Sequence, residues 1–180
     1  MSERLIPYQP LDISEPHELV DAIRQRRGGE LINLDRMLLH SIPVARGWNA
    51  FLGELRQNLS LHPKLRELVM CAVAILNGAE YEFVHHSNLF LQAGGTEEQL
   101  ISLRAIKLGE CSQDCFDSVS SDVISLTIQM TRNIKVSDDL MARLKGSLGD
   151  TCLVELVTVV GAYNMVSRVL IALKVEPEGK

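Results

Sequence analysis

The chain has 180 residues, enough for a single domain of ordinary size with its own hydrophobic core. Its composition, 46% hydrophobic and 23% charged, is typical of globular proteins and excludes an intrinsically disordered chain. The net charge of −5 argues against nucleic-acid binding, which requires a basic surface. The only tight basic cluster, Arg24, Arg26 and Arg27, is expected to be a solvated helix end.

Neither secretion nor membrane insertion is expected. The first ten residues, MSERLIPYQP, lack the apolar segment of a signal peptide, and no uninterrupted apolar run reaches about 18 residues. The four cysteines contain no CxxC pair and are typical of reduced thiols, which predicts a cytoplasmic protein. They are Cys71, Cys111, Cys115 and Cys152.

The N-terminal third of the chain predicts an extended arm followed by helices. Two prolines block regular structure over residues 1–14, and a helix is predicted over 16–27, where Gly28-Gly29 ends it. Apolar residues then recur with helical spacing over 31–39. Pro43 breaks this run, and another helix follows it.

Pro63 opens the strongest helical pattern in the sequence. The apolar residues at offsets 0, 3, 4, 7, 8 and 11 predict an amphipathic stripe: Leu65, Leu68, Val69, Ala72, Val73 and Leu76. Asn77-Gly78 ends this helix, and a second helix is predicted over 79–93, closed by Gly94-Gly95. The two segments therefore predict a helical hairpin.

The C-terminal half is also predicted to be helical. Thr96 and Gln99 form a capping-box pair at the start of the next helix. The later predicted elements are a loop near 109–114, a helix over 115–132, a short helix capped by Ser137 that ends near Leu148-Gly149, and a last helix from Asp150 or Thr151. The last helix is apolar on almost every side, which places it in the core or at a subunit contact. The pattern predicts one all-α domain.

Two ionisable residues on the second helix of this hairpin are the strongest candidates for chemistry. Glu82 and His86 are four residues apart, so they share a helix face that is otherwise apolar. A carboxylate beside an imidazole suits proton transfer near neutral pH. Glu67 lies on the preceding helix, and the predicted hairpin would bring it towards the same place.

Other interpretations of these residues are possible. A Glu–His pair at this spacing can stabilise a helix surface by about 0.2–0.5 kcal/mol without any other role. One histidine with two carboxylates can also begin a metal site, but the HEXXH pattern is absent, so no metal is expected. Cys71 and Cys152 lie within apolar helices and are interpreted as small core residues.

At NGAEYEFVHHSNLFLQAGGTEEQL the chain resembles the carboxymuconolactone decarboxylase family, which includes alkylhydroperoxidase D-like proteins. The segments LHPKLRELVMCAVAILNGAEYEFVHH, TRNIKVSD and LGDTCLVELVTVVGAYNMVSRVLIAL extend the likeness over residues 31–175. Residues 1–30 then form an additional N-terminal arm and first helix. The resemblance implies an all-α, alkylhydroperoxidase D-like bundle with a helical hairpin at the site.

The family pattern has a Glu on one helix, then a Cys-x-x-Cys and a His on the next. Here the Glu matches Glu67 and the His matches His86, whereas the cysteine positions are occupied by Ala79 and Glu82. A thiol peroxidase requires a thiolate, which neither residue can supply. The resemblance therefore favours the decarboxylase branch, whose members carry a Glu followed four residues later by a His.

The resemblance implies a cofactor-free lyase that acts on a small carboxylated or lactone substrate. His86, Glu82 and Glu67 would be the catalytic residues, with His86 as the acid, and Tyr81, His85 and Arg168 would bind the substrate. Relatives form trimers or hexamers with sites near subunit contacts, so a homo-oligomer is expected. The alternatives are a peroxiredoxin-type antioxidant of the same family and a non-enzymatic oligomeric binding module.

Overall fold

The computed structural model describes residues 5–109 and 114–179, and over these residues it contains helices and no strand. The all-α class predicted from the sequence is confirmed. The helices are α1 (His17–Arg27), α2 (Asn33–Leu38), α3 (Ile42–Gln57), α4 (Pro63–Asn77), α5 (Glu80–Gln92), α6 (Glu97–Arg104), a 3-10 helix (Ala105–Leu108), α7 (Ser118–Asn133) and α8 (Asp138–Ala172).

The chain forms two compact units. The first contains the described residues up to Asn58 together with those from Leu170 onwards, and in it α3 packs against α1 and α2. Its extended N-terminal arm is bound to α2, because the Arg36 guanidinium donates a 2.6 Å hydrogen bond to the Gln9 carbonyl. The second unit extends from Leu59 to Val169. The single-domain organisation and the boundary at residue 30 stay predictions.

Part of the basic cluster at the end of α1 forms a buried ion-pair network instead of a solvated end. Asp35, with 3% of its side chain exposed, accepts hydrogen bonds from Arg27 at 2.9 and 3.0 Å and from Arg26 at 3.4 Å. Burial, followed by the charge of Arg27, lowers the pKa of Arg26 to about 10. The sequence-based expectation is wrong for these two arginines because their partner lies eight and nine residues further along the chain.

Helix α4 is the centre of the second unit, where it packs against α5, α6, α7 and the 3-10 helix. Every residue from Glu67 to Ala74 is buried. Helix α4 is therefore buried on more sides than the single apolar stripe in its sequence predicted. The reason is that Met70, Cys71 and Ala74, which lie off the stripe, are apolar as well and are buried where other helices pack around α4.

Gly78 makes the hairpin of α4 and α5 possible. It has a left-handed backbone conformation (φ 74°, ψ 29°), which glycine adopts without the steric cost that a Cβ atom brings. The N–H groups of Gly78 and Ala79 donate to the carbonyls of Ile75 and Ala74 at 3.1 and 2.8 Å. The helix end predicted at Asn77-Gly78 is confirmed, and it turns the chain so that α5 lies on α4.

Helix α8 is interrupted once, at Gly149, whose φ of 75° and ψ of 173° are not helical. This confirms the break predicted near Leu148-Gly149. The portion after the break is held in the second unit by the Glu155 carboxylate, which accepts hydrogen bonds from the backbone N–H groups of Ser60 (3.1 Å) and Leu61 (2.7 Å). These bonds fix α8 beside the start of α4.

The apolar surface of α8 is only partly covered. Leu156, Val159 and Val160 are buried, whereas Val154 is 66% exposed and Met165 is 40% exposed. By length and composition α8 is the one helix of the described residues that could cross a membrane, and 44% of its most apolar window is buried. Core helices of globular proteins meet the same criterion, so the absence of a membrane span stays a prediction.

Candidate active site

The hairpin of α4 and α5 brings Glu67 and His86 into direct contact. The Nδ1 atom of His86 lies 2.7 Å from Oε2 of Glu67, although the residues are 19 positions apart in the chain. Both side chains are almost entirely buried, with 10% of His86 and 5% of Glu67 exposed. The carboxylate therefore fixes the orientation of the imidazole. Any exchange of a proton with a ligand would take place at Nε2.

Arg66 completes the surroundings of the Glu67 carboxylate. Its Nε donates to Oε1 of Glu67 at 3.2 Å, so both carboxylate oxygens of Glu67 are hydrogen-bonded. Burial raises the pKa of Glu67, but the hydrogen bond and charge of His86, with those of Arg66, outweigh it. The pKa lies below its ordinary value of 4.5. Glu67 is therefore ionised at neutral pH, and Nδ1 of His86 donates to it.

Glu82 contacts the last helix. It is 2% exposed, and its Oε2 atom is within hydrogen-bonding distance of the Ser167 hydroxyl. The same hydroxyl lies 2.9 Å from the carbonyl of Tyr163, one turn earlier on α8. Among the sequence-predicted catalytic residues, the structure therefore joins His86 to Glu67 and anchors Glu82 to Ser167.

Tyr163 also borders the imidazole of His86. The two rings meet edge to face, with centroids 5.0 Å apart and planes at 81°. Tyr163 is fully buried, so its ring forms a fixed wall on one side of His86. Helices α4, α5 and α8 thus contribute Glu67, His86 and Tyr163 to one cluster inside the second unit.

The three predicted substrate-binding residues lie on α5 and α8. Tyr81 and His85 stack on each other, with ring centroids 4.4 Å apart, and His85 Nδ1 lies 2.8 Å from the Tyr81 carbonyl. Arg168 is exposed on α8, where it donates to the carbonyl and side-chain oxygen of Asn164 at 2.6 and 2.9 Å. Asn164 in turn is hydrogen-bonded to Asn77 on α4 at 3.1 Å.

The thiol of Cys71, near this cluster, is a poor nucleophile. Cys71 is fully buried on α4; burial raises the pKa of its thiol, and the charge of Glu67 raises it further. Cys71, Cys115 and Cys152 are free cysteines. Cys111 lies outside the described residues.

Metal ligands are not gathered in this part of the molecule. Over residues 5–109 and 114–179, no group of three or more His, Cys, Asp or Glu side chains is arranged to hold an ion. The chemistry that the cluster itself can perform is proton transfer, because it combines an ionised carboxylate, an imidazole and a second buried carboxyl group.

Two partners of the predicted residues, Arg66 and Ser167, were not predicted from the sequence. Arg66 is next to Glu67 in the sequence, and this adjacency could have suggested it as a partner. A basic residue in the first turns of a helix, however, is usually solvated. Ser167 lies 85 residues from Glu82 and no short-range pattern links them. Only the packing of α8 near α5 brings those two residues together.

A solved structure with a similar fold identifies the class of architecture. The fold is similar over 99% of this chain and 96% of the other to a crystal structure of an uncharacterized peroxidase-related protein from Silicibacter sp. TM1040. The TM-score is 0.80 and the sequence identity is 19%, so this likeness concerns the fold. No curated protein matches the sequence. The molecule is thus an all-α bundle with a buried carboxylate–imidazole pair.

Residues 43–108 match the sequence model of the Carboxymuconolactone decarboxylase family. This segment contains Glu67, Glu82 and His86. This match supports the resemblance predicted from the sequence, which places Ala79 and Glu82 at the two cysteine positions of the family pattern.

Proposed function

We propose that this protein is a cofactor-free acid–base enzyme of the lyase type that acts on a small carboxylated or lactone substrate. The observation that carries the proposal is the buried 2.7 Å contact between His86 and the ionised Glu67. A carboxylate behind an imidazole fixes the ring tautomer and stabilises the imidazolium, which is the arrangement that a general acid requires.

In the proposed reaction, the C–C bond to the substrate carboxylate breaks and CO2 leaves. The electron pair of that bond remains on the adjacent carbon, and His86 delivers the proton from Nε2 to this carbon. Glu67 holds the imidazole at Nδ1 throughout, and solvent returns a proton to His86 after product release. Tyr81, His85 and Arg168 remain the proposed substrate-binding residues. Arg66, beside Glu67, adds a cation that can attract the substrate carboxylate.

Decarboxylation of lactone acids by the purified protein is the direct test. His86→Ala should lower turnover by about 10²–10⁴-fold, the usual contribution of general acid–base catalysis. His40→Ala is a matched control, because His40 is exposed and lies in the first unit. Turnover that is unchanged in His86→Ala would remove this residue from the mechanism.

A thiol peroxidase of the same family is the competing function, supported by the description of the Silicibacter protein as peroxidase-related. The buried thiol of Cys71, with its raised pKa, weighs against this function. Reduction of peroxide in the presence of a thiol reductant distinguishes the two functions. Peroxide reduction that survives in a variant with all four cysteines changed to Ser would rule out thiol chemistry.

We also propose that the protein is a homo-oligomer, a trimer or hexamer, with the exposed apolar side of α8 at a subunit contact. The supporting observation is that Val154 and Met165 are exposed around Gly161, whose missing side chain leaves open space. Light scattering should show a lower mass for Val154→Glu than for the control Ile101→Glu on α6. A wild-type protein that is monomeric at micromolar concentration would contradict this proposal.

A further inference from the structure

Ser167 has more hydrogen-bonding contacts than it has protons to donate. Its Oγ atom is within hydrogen-bonding distance of two oxygens, the backbone carbonyl of Tyr163 at 2.9 Å and the carboxyl Oε2 of Glu82. A serine hydroxyl has one proton and two acceptor lone pairs. A full hydrogen bond to each oxygen is therefore possible only if one of the two oxygens carries a proton.

The carbonyl of Tyr163 cannot carry that proton, but the carboxyl group of Glu82 can. Serine hydroxyls within helices regularly donate to the carbonyl four residues earlier, which is the relation between Ser167 and Tyr163. With its proton directed there, Ser167 presents a lone pair to Glu82. We infer that Glu82 is a neutral carboxylic acid at neutral pH and donates its proton in a hydrogen bond to Ser167.

Burial of Glu82 agrees with this assignment. The residue is 2% exposed, and transfer of a charged carboxylate into such surroundings is costly. The titratable or charged groups of the site include Arg66, Glu67 and Cys71 on α4, His86 on α5 and Tyr163 on α8. The buried side chains of α7 are not titratable. Arg66 and His86 both form hydrogen bonds with Glu67.

A neutral Glu82 has a consequence for the substrate, and this consequence rests on the proposed function. With Glu82 uncharged, the site holds one carboxylate, Glu67, between Arg66 and His86, so it is net positive whenever His86 carries its proton. A substrate with one carboxylate then enters without repulsion. An ionised Glu82 would cancel the remaining positive charge. Ser167 is thus a positioning residue that allows the site to accept an anionic substrate.

Infrared spectroscopy of the whole protein in D2O at neutral pH tests the assignment without any need for turnover. The carbonyl stretch of a protonated carboxylic acid should be present in the wild type and lost in Glu82→Gln. Glu67→Gln is the matched control, since Glu67 is an ionised glutamate on the adjacent helix and its replacement should leave this band in place. Equal spectra of wild type and Glu82→Gln in the carboxylic-acid region would overturn the inference.

Variants of Ser167 provide a second measurement in case Glu82→Gln does not fold. Ser167→Thr retains the hydroxyl and should retain the position of the band. Ser167→Ala removes the acceptor, so the band should shift to higher wavenumber as the acid loses its hydrogen bond. A band that is unmoved in Ser167→Ala would contradict the bond to Ser167. A band that is present in a protein inactive on lactone acids would support the assignment and refute the proposed function instead.

Discussion

Replacement of Glu67 by Gln should reveal how much the buried ion pair contributes to folding, and at which pH. The substitution retains the size of the side chain but removes its charge. Glu67 accepts one hydrogen bond from His86 and one from Arg66, and 5% of its side chain is exposed, against 10% and 15% for its partners. Screening by solvent is therefore small, and both bonds should weaken.

The expected loss follows from the strengths of the two kinds of bond. A hydrogen bond to a charged group contributes about 1.5–3 kcal/mol and a neutral one about 0.5–1.5 kcal/mol. Weakening two such bonds should therefore lower the free energy of unfolding at neutral pH by about 2 kcal/mol. Because the folded-state pKa of Glu67 lies below 4.5, its stabilisation is complete above that pH and is lost as the pH falls through the folded-state value.

Urea denaturation across a pH series measures this effect. The difference in unfolding free energy between wild type and Glu67→Gln should be largest near neutral pH and should shrink in acid, where Glu67 is protonated. Glu30→Gln, at an exposed position, should show almost no difference at any pH. A difference for Glu67→Gln that stays constant or grows below pH 4.5 would refute an ionised Glu67.

Three further changes test other parts of the structure. Gly95→Ala should lower the free energy of unfolding by about 1–3 kcal/mol, because a Cβ atom there would lie 2.2 Å from the buried ring of Phe90. Asp35→Ala should cost about 1.5–3 kcal/mol, the contribution of a hydrogen bond to a charged group, since it leaves the partly buried guanidinium of Arg27 without its carboxylate. Cys71 should react with a thiol reagent in the native protein far more slowly than the half-buried Cys152, as burial holds it protonated.

Each of these changes has its own control. Gly146→Ala, in the interior of α8 with open space around it, should stabilise the protein by about 0.5–1 kcal/mol and so separates packing from backbone effects. Asp12→Ala is the exposed counterpart of Asp35→Ala. A Gly95→Ala variant as stable as the wild type would contradict the close packing of residue 95 on Phe90. An unchanged denaturation midpoint in Asp35→Ala would contradict the contribution of the ion pair. Modification of Cys71 as fast as that of Cys152 would contradict the protection of Cys71 by burial.

Local signals in the sequence were sufficient to place most helix ends. Pro16 and Pro63 precede or open helices because a proline costs nothing where the first N–H groups have no helical partner. The glycines at 78 and 149 interrupt helices because they adopt positive φ angles. The capping box of Thr96 and Gln99 is confirmed. Such effects act within a few residues, so sequence alone reveals them.

Burial was predicted less well, because it depends on how many neighbours a helix acquires. The sequence of α4 has one strong apolar stripe, yet the helix is buried on every side over Glu67–Ala74. Asp35, within the apolar run of residues 31–39, is buried in an ion pair with Arg27. Composition shows that a side chain tolerates burial, whereas the packing of other helices decides whether it is buried.

The sequence by itself determined that Glu67, Glu82 and His86 share one hairpin, because their spacing and the turn at Gly78 are local properties. Only the tertiary structure decided their partners. It places His86 against Glu67, and Glu82 against Ser167. Hydrogen bonds select partners by distances of a few ångströms, and these distances are set by how α4, α5 and α8 pack, which residue spacing does not encode.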